Sequence, residues 1–144
     1  MSNIETAAIP YLAPMIQGNE CALDEHAQRV VATWSFKTVM MLNLADAHPR
    51  DLGEQYSYLY AFKRPTPWHL IWLTAYATPQ PGLSFVEHAW HTPIPPGDGS
   101  AVGLSAQAHG FTDGSYSYLM TIEVGQFVAQ VFWTESQAIY DRIT

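Results

Sequence analysis

Six histidines, one cysteine and a few cations are the residues of this chain with the chemistry to build a site. His88 and His91 stand in the string Glu87-His88-Ala89-Trp90-His91. On a strand, Glu87 and His91 project to one face and His88 to the other. Three ligands then fail to converge on one ion. The helical His-Glu-x-x-His spacing of zinc proteases is absent as well. The string fits a polar sheet face or strand edge better than a metal centre. An enzyme using His88, His91 and Glu87 as acid and base is the alternative. His109 precedes Gly110 beside an Asp-Gly turn, and His69 follows Trp68 where a strand begins. Either would line a pocket at one end of a sheet. Cys21 needs a histidine brought from elsewhere in space before it can act as a nucleophile. No serine sits in a Gly-x-Ser-x-Gly elbow. Gly97-Asp98-Gly99-Ser100 ends a Pro-rich loop and opens no helix, so it is not a phosphate cradle.

The cations are more informative. Lys37 lies in a segment that is otherwise apolar. A buried lysine needs a carboxylate partner or loses its charge. The alternative is a stem lying on apolar surface with its head in water. Arg29 and Lys37 are two helical turns apart and share a face, and with Arg64 they would form a small anion pocket. Trp72 and Tyr76 belong to a set of aromatics that would line an apolar pocket. The candidate ligand-binding set is therefore Arg29, Lys37, Arg64, Trp72 and Tyr76. No catalytic residue, no metal ligand and no cofactor is assigned.

These residues must be held by elements that the pattern predicts as follows. Ile4, Ala7, Ala8, Tyr11, Leu12, Met15 and Ile16 give a helix over 3–17, which Pro10 and Pro14 should bend or shorten. Gly18-Asn19 stops it. Leu23, Ala27, Val30, Val31, Trp34, Thr38, Met41 and Ala45 give a second helix over 23–45, with Asp24 and Glu25 at its start. Its second half is apolar on nearly every side, which predicts a helix buried beneath a sheet. His48-Pro49 closes it. Residues 49–55 read as a turn. Tyr56, Tyr58, Tyr60 and Phe62 alternate with other residues, which reads as a strand. Further strands are expected over 69–78, 83–91, 101–111, 116–123 and 126–134. Turns separate them at Pro79-Gln80-Pro81-Gly82, at 93–100, at Thr112-Asp113-Gly114-Ser115 and at Gly125. Residues 135–144 form a short tail with some helical character. Strands without helical crossovers pair antiparallel. The expected fold class is α+β: N-terminal helices (1–48) on a mainly antiparallel sheet of about five strands (56–134), in one domain over 1–144.

Composition bounds the function. The chain has 144 residues, 48% hydrophobic, and only 13% charged against roughly a quarter in ordinary domains. Five Trp and eight Tyr leave apolar surface for a ligand, a partner or a second copy in a homodimer. The net charge is −7, from 6 Lys and Arg against 13 Asp and Glu. Phosphate-backbone binding needs clustered cations, and only Lys63 and Arg64 are adjacent, so direct nucleic-acid binding and acidic membranes are disfavoured. One cysteine makes no internal disulfide, no signal peptide is indicated, and no run of about 18 apolar residues exists. The expected location is the cytoplasm.

The stretch IETAAIPYLAPMIQGNECALDEHAQRVVATWSFKTVMMLNLA, starting at Ile4, resembles the region that follows the Cys-rich motif in uncharacterised bacterial and phage HNH-endonuclease-like proteins. The matching residues are Pro14-Met15-Ile16-x-Gly18, Gln28, Ala32, Trp34, Lys37 and Thr38. Pro65-x-Pro67, Ile71-Trp72-Leu73-x-x-Tyr76 and Thr121-Ile122-x-x-Gly125-x-Phe127-x-x-Gln130-Val131 extend the resemblance over most of the chain. The family's zinc and His-Asn-His residues precede this region and are not in this sequence. Nuclease activity therefore does not carry over. What the resemblance implies is the accessory domain alone. The expected function is a non-catalytic binding domain for a protein partner or small ligand, in one form an acidic inhibitor directed at a host defence system. A structural, oligomeric module is the third reading.

Overall fold

The computed structural model describes residues 2–45, 52–91 and 116–144. The chain is α+β, and its sheet is antiparallel. The elements in order are α1 (Ser2–Ile16), α2 (Glu25–Ala45), α3 (Gly53–Phe62), β1 (His69–His91), β2 (Tyr116–Thr134) and α4 (Gln137–Ile143).

α1 runs through both prolines without a break and stops where the glycine predicts. Gly18 N–H donates to the Met15 carbonyl (3.1 Å) and Asn19 N–H to the Pro14 carbonyl (2.9 Å). This pair of bonds satisfies the last carbonyls of a helix and turns the chain away. α2 begins on Asp24, whose carboxylate oxygen accepts from the Ala27 N–H at 2.7 Å. Its buried stripe is Ala27, Val31, Ser35, Phe36, Val39, Met40 and Asn43. The expectation of a helix buried all round is corrected: Met41 is 43% exposed. The buried hydroxyl of Ser35 bonds back to the Val31 carbonyl (3.0 Å), which lets a polar side chain lie inside.

The strand expected over 56–62 is a helix. Leu52 and Leu59 are buried with Gln55, a helical spacing that outweighs the alternating tyrosines. Tyr56 ties α3 to α2 by donating its hydroxyl to the Met40 carbonyl at 2.7 Å. The predicted turn within 49–55 is likewise helical from Gly53, and residues 46–51 lie outside the described part.

The described sheet has two long strands, not about five. His69 pairs with Trp133 at one end and His91 with Tyr116 at the other. The Pro-Gln-Pro-Gly segment does not end a strand. It is absorbed as an irregularity: Ala75 faces Phe127, Gln80 faces Gly125 and Leu83 faces Val124. Proline has no N–H to give the ladder, so the register shifts across the extra residues of β1 and pairing resumes beyond them. Glu123 closes this gap by accepting from the hydroxyls of Tyr76 (2.5 Å) and Ser84 (2.6 Å). The strand and turns expected over 93–115 lie outside the described residues. The tail forms α4, started by Ser136, whose side chain accepts from the Ile139 N–H.

One face of the ribbon packs on the helices, while Val128 and Phe132 are buried on the other. Phe36, Val39 and Met40 of α2 and Leu59 of α3 pack on Tyr118, Met120, Ile122 and Val131 of β2. Ala8 and Leu12 of α1 and Val31 of α2 pack on Phe127 and Ala129. Each large side chain so buried contributes about 1.5–3 kcal/mol relative to exposure. The helices are thus fixed side by side on β2, with the C-terminal end of α3 near the start of α1.

Candidate functional site

α1, α2 and the two residues that follow α3 line a groove of about 460 Å³. Asn3, Ile4 and Ala7 come from α1, and His26, Val30 and Thr33 from α2. Its rim carries Arg29 of α2 together with Lys63 and Arg64, the two residues after α3. α3 ends with Lys63 in a left-handed conformation, φ 52°, and its N–H bonds the Leu59 carbonyl at 2.9 Å. This turn projects two consecutive cations at the groove. Lys63 Nζ donates to the Tyr60 carbonyl and lies 4.3 Å from the Tyr60 ring centre. The Arg64 guanidinium lies 5.8 Å from the Phe62 ring centre. Such contacts hold a cation in place. Arg29 pairs with Glu25 at 3.3 Å, one helical turn back, with both ends largely in water. A pair of this kind contributes little and exchanges readily for another anion. Among the described residues that line the groove, none is acidic.

Of the five residues expected to bind a ligand, Arg29 and Arg64 border this groove. Lys37 does not join them. It is 13% exposed and forms an ion pair with Glu5 of α1, the carboxylate partner that a half-buried lysine requires. It borders a second, apolar groove of about 400 Å³, with Ile4, Met41, Tyr56, Tyr60 and Lys63. Trp72 and Tyr76 lie elsewhere. Their neighbours Ile71 and Leu73 pack on the helix-side core, so the period of the strand puts Trp72 on the opposite face. Trp72 is 43% exposed and meets Phe132 at 6.4 Å between ring centres. The Tyr76 hydroxyl is committed to Glu123, and that hydrogen bond first, then desolvation and the carboxylate charge, raises its pKa.

His26 and Lys63 are not in the ligand-binding set that the sequence predicts. Lys63-Arg64, the one adjacent cationic pair in the chain, was the available signal.

The other candidates separate. The side chains of Glu87, His88 and His91 lie outside the described part, although their backbone runs in β1 opposite Met120, Leu119 and Tyr116. His109 also lies outside it. His69 is buried in a structural network: Nδ1 meets Thr66 Oγ1 at 2.6 Å and Nε2 meets the Tyr118 hydroxyl at 2.9 Å. Tyr118 in turn donates to Gln55 Oε1 at 3.1 Å. Both ring nitrogens of His69 are therefore engaged by neutral hydroxyls. Cys21 is exposed, beside a shallow groove with Leu23, Gln28, Ile71 and Leu73, and no described histidine lines that groove. Among the described residues, no group of three His, Cys, Asp or Glu could hold a metal ion, and no helix is long and apolar enough to cross a membrane.

No family model, curated protein or solved structure matches the chain. The site must be read from its own chemistry.

Proposed function

We propose that this chain is a non-catalytic binding domain whose ligand is a small organic anion, taken into the groove between α1, α2 and the end of α3. One observation carries the reading. Arg29, Lys63 and Arg64, three of the chain's six Lys and Arg, border a single apolar-floored groove, although the whole molecule carries −7. A dispersed set of cations would serve solubility. A cluster beside apolar walls concentrates positive potential where a ligand can be desolvated. The volume suits a small molecule, since ligand pockets span about 300–1,000 Å³. Recognition without chemistry also fits the accessory role that the resemblance to HNH-endonuclease-like proteins implies.

Calorimetric titration with naphthalene-2-sulfonate and with neutral 2-naphthol tests this. The sulfonate should bind and the neutral ring should bind more weakly. The double variant Arg29→Gln/Arg64→Gln should lose about thirtyfold in affinity for the sulfonate, at roughly 1 kcal/mol for each partly exposed cation. Both side chains are on the surface, so the fold should be unaffected. Equal affinity in the double variant, or no binding of the sulfonate at all, would sink the proposal.

A further inference from the structure

We infer that the ligand of this groove is a single-chain amphiphile with an anionic head, such as a medium-chain carboxylate, whose alkyl tail runs into the second groove along α2. The inference rests on the anion-binding reading above and specifies its ligand.

The two grooves are neighbours. Ile4 of α1 and Lys63 after α3 border both of them. Between Thr33, on the first, and Met40, on the second, lies about 10 Å of α2, a distance a medium-length alkyl chain spans. The chemistry changes along that path. The first groove has Arg29, Lys63, Arg64 and His26 at its rim. The second is walled by Met40, Met41, Tyr56, Leu59 and Tyr60. Its one other cation, Lys37, is neutralised by Glu5. Arg29, Arg64 and His26 border the first groove alone, so a charged head is favoured there and an uncharged tail along the second.

Several side chains at the junction suit such a tail. Lys63 is pinned by its ammonium to the Tyr60 carbonyl, which leaves its methylene stem between the two grooves. Met41 is 43% exposed, and methionine adapts to chains of varied shape. Tyr60, on the wall of the second groove, is a large side chain mostly in solvent. An acyl tail would cover part of this apolar surface. A compact dianion such as inorganic phosphate would leave it bare.

The test is a chain-length series of hexanoate, octanoate, decanoate and dodecanoate, titrated into the full chain below micelle-forming concentrations. Affinity should rise about fourfold for each methylene buried, and at least tenfold from hexanoate to decanoate. Met41→Glu puts a carboxylate at an exposed position of the second groove without touching the core. It should flatten the series while leaving naphthalene-2-sulfonate binding within about twofold. Tyr60→Gln, on the other helix, should flatten it too. If the sulfonate binds but the carboxylates show no chain-length dependence, the tail site is overturned and the anion site stands. If neither binds, both fall. Co-sedimentation with phosphatidylglycerol vesicles separates a free amphiphile from a bilayer surface: the protein should stay in the supernatant, and sedimentation with the vesicles would overturn the inference.

Discussion

Acidification should destabilise this fold by several kcal/mol through one side chain, His69. The imidazole is buried among Phe36, Tyr118 and Trp133, with ring centres 4.2, 6.2 and 6.3 Å away. Its two hydrogen bonds go to neutral hydroxyls, and neither is to a carboxylate. Burial therefore lowers its pKa from 6.5 to about 3. In the unfolded chain it takes a proton near its ordinary value. Between the two values the unfolded state holds the extra proton, so stability is fully present above about pH 6.5 and falls as the pH drops toward 3. The full interval amounts to about 4–5 kcal/mol, a large share of a typical domain's stability. Urea unfolding followed from neutral pH down to about pH 4 should show the loss. His69→Phe should be less stable at neutral pH, because it abandons Thr66 and Tyr118, yet its pH slope should be shallower by about one proton. An unchanged slope in that variant would mean that His69 is not held neutral.

Gly125→Ala should cost about 3 kcal/mol, the second large effect. Gly125 adopts φ +60°, and a Cβ there would stand 2.5 Å from the Ile16 carbonyl oxygen and 2.9 Å from Ile16 Cγ2. The end of α1 rests on β2 at this point, so the added methyl meets backbone as well as the Ile16 side chain, and the shortest contact is to backbone. Gly82 supplies the control. Its φ is +83°, but a Cβ there meets nothing within 4 Å. Gly82→Ala should therefore cost only the backbone term, about 1 kcal/mol. Chemical-denaturation midpoints of the two variants measure the difference. Equal losses would show that α1 does not press on β2 at Gly125.

Both results bear on how much of the molecule is legible in its sequence. α1 and α2 are, because Gly18-Asn19 and Asp24 are local signals that act locally. Antiparallel pairing is legible from the lack of predicted helical crossovers between the strands. The tyrosines of α3 are not: Tyr56, Tyr58, Tyr60 and Phe62 alternate like a strand, and only the burial of Leu52 and Leu59 against α2 decides for a helix. Pro79 and Pro81 read as the end of a strand, yet the pairing of Leu83–His91 with β2 carries β1 past them. These are tertiary decisions overriding local propensity. The site shows the same division. Arg29 and Arg64, grouped by charge, border one groove. Lys37 was grouped with them by helical phase, but the Glu5 of a neighbouring helix claims it. Trp72 and Tyr76 were grouped by aromatic content, and strand alternation puts them across the sheet.

The claim that the cation-rimmed groove is the binding site is tested most directly by amide chemical-shift mapping during titration with naphthalene-2-sulfonate. The largest shifts should fall on Asn3, Ala7, His26, Arg29, Thr33 and Arg64, which surround the groove. Shifts confined to Trp72, Tyr76 and their neighbours on β1, with the groove residues still, would contradict it.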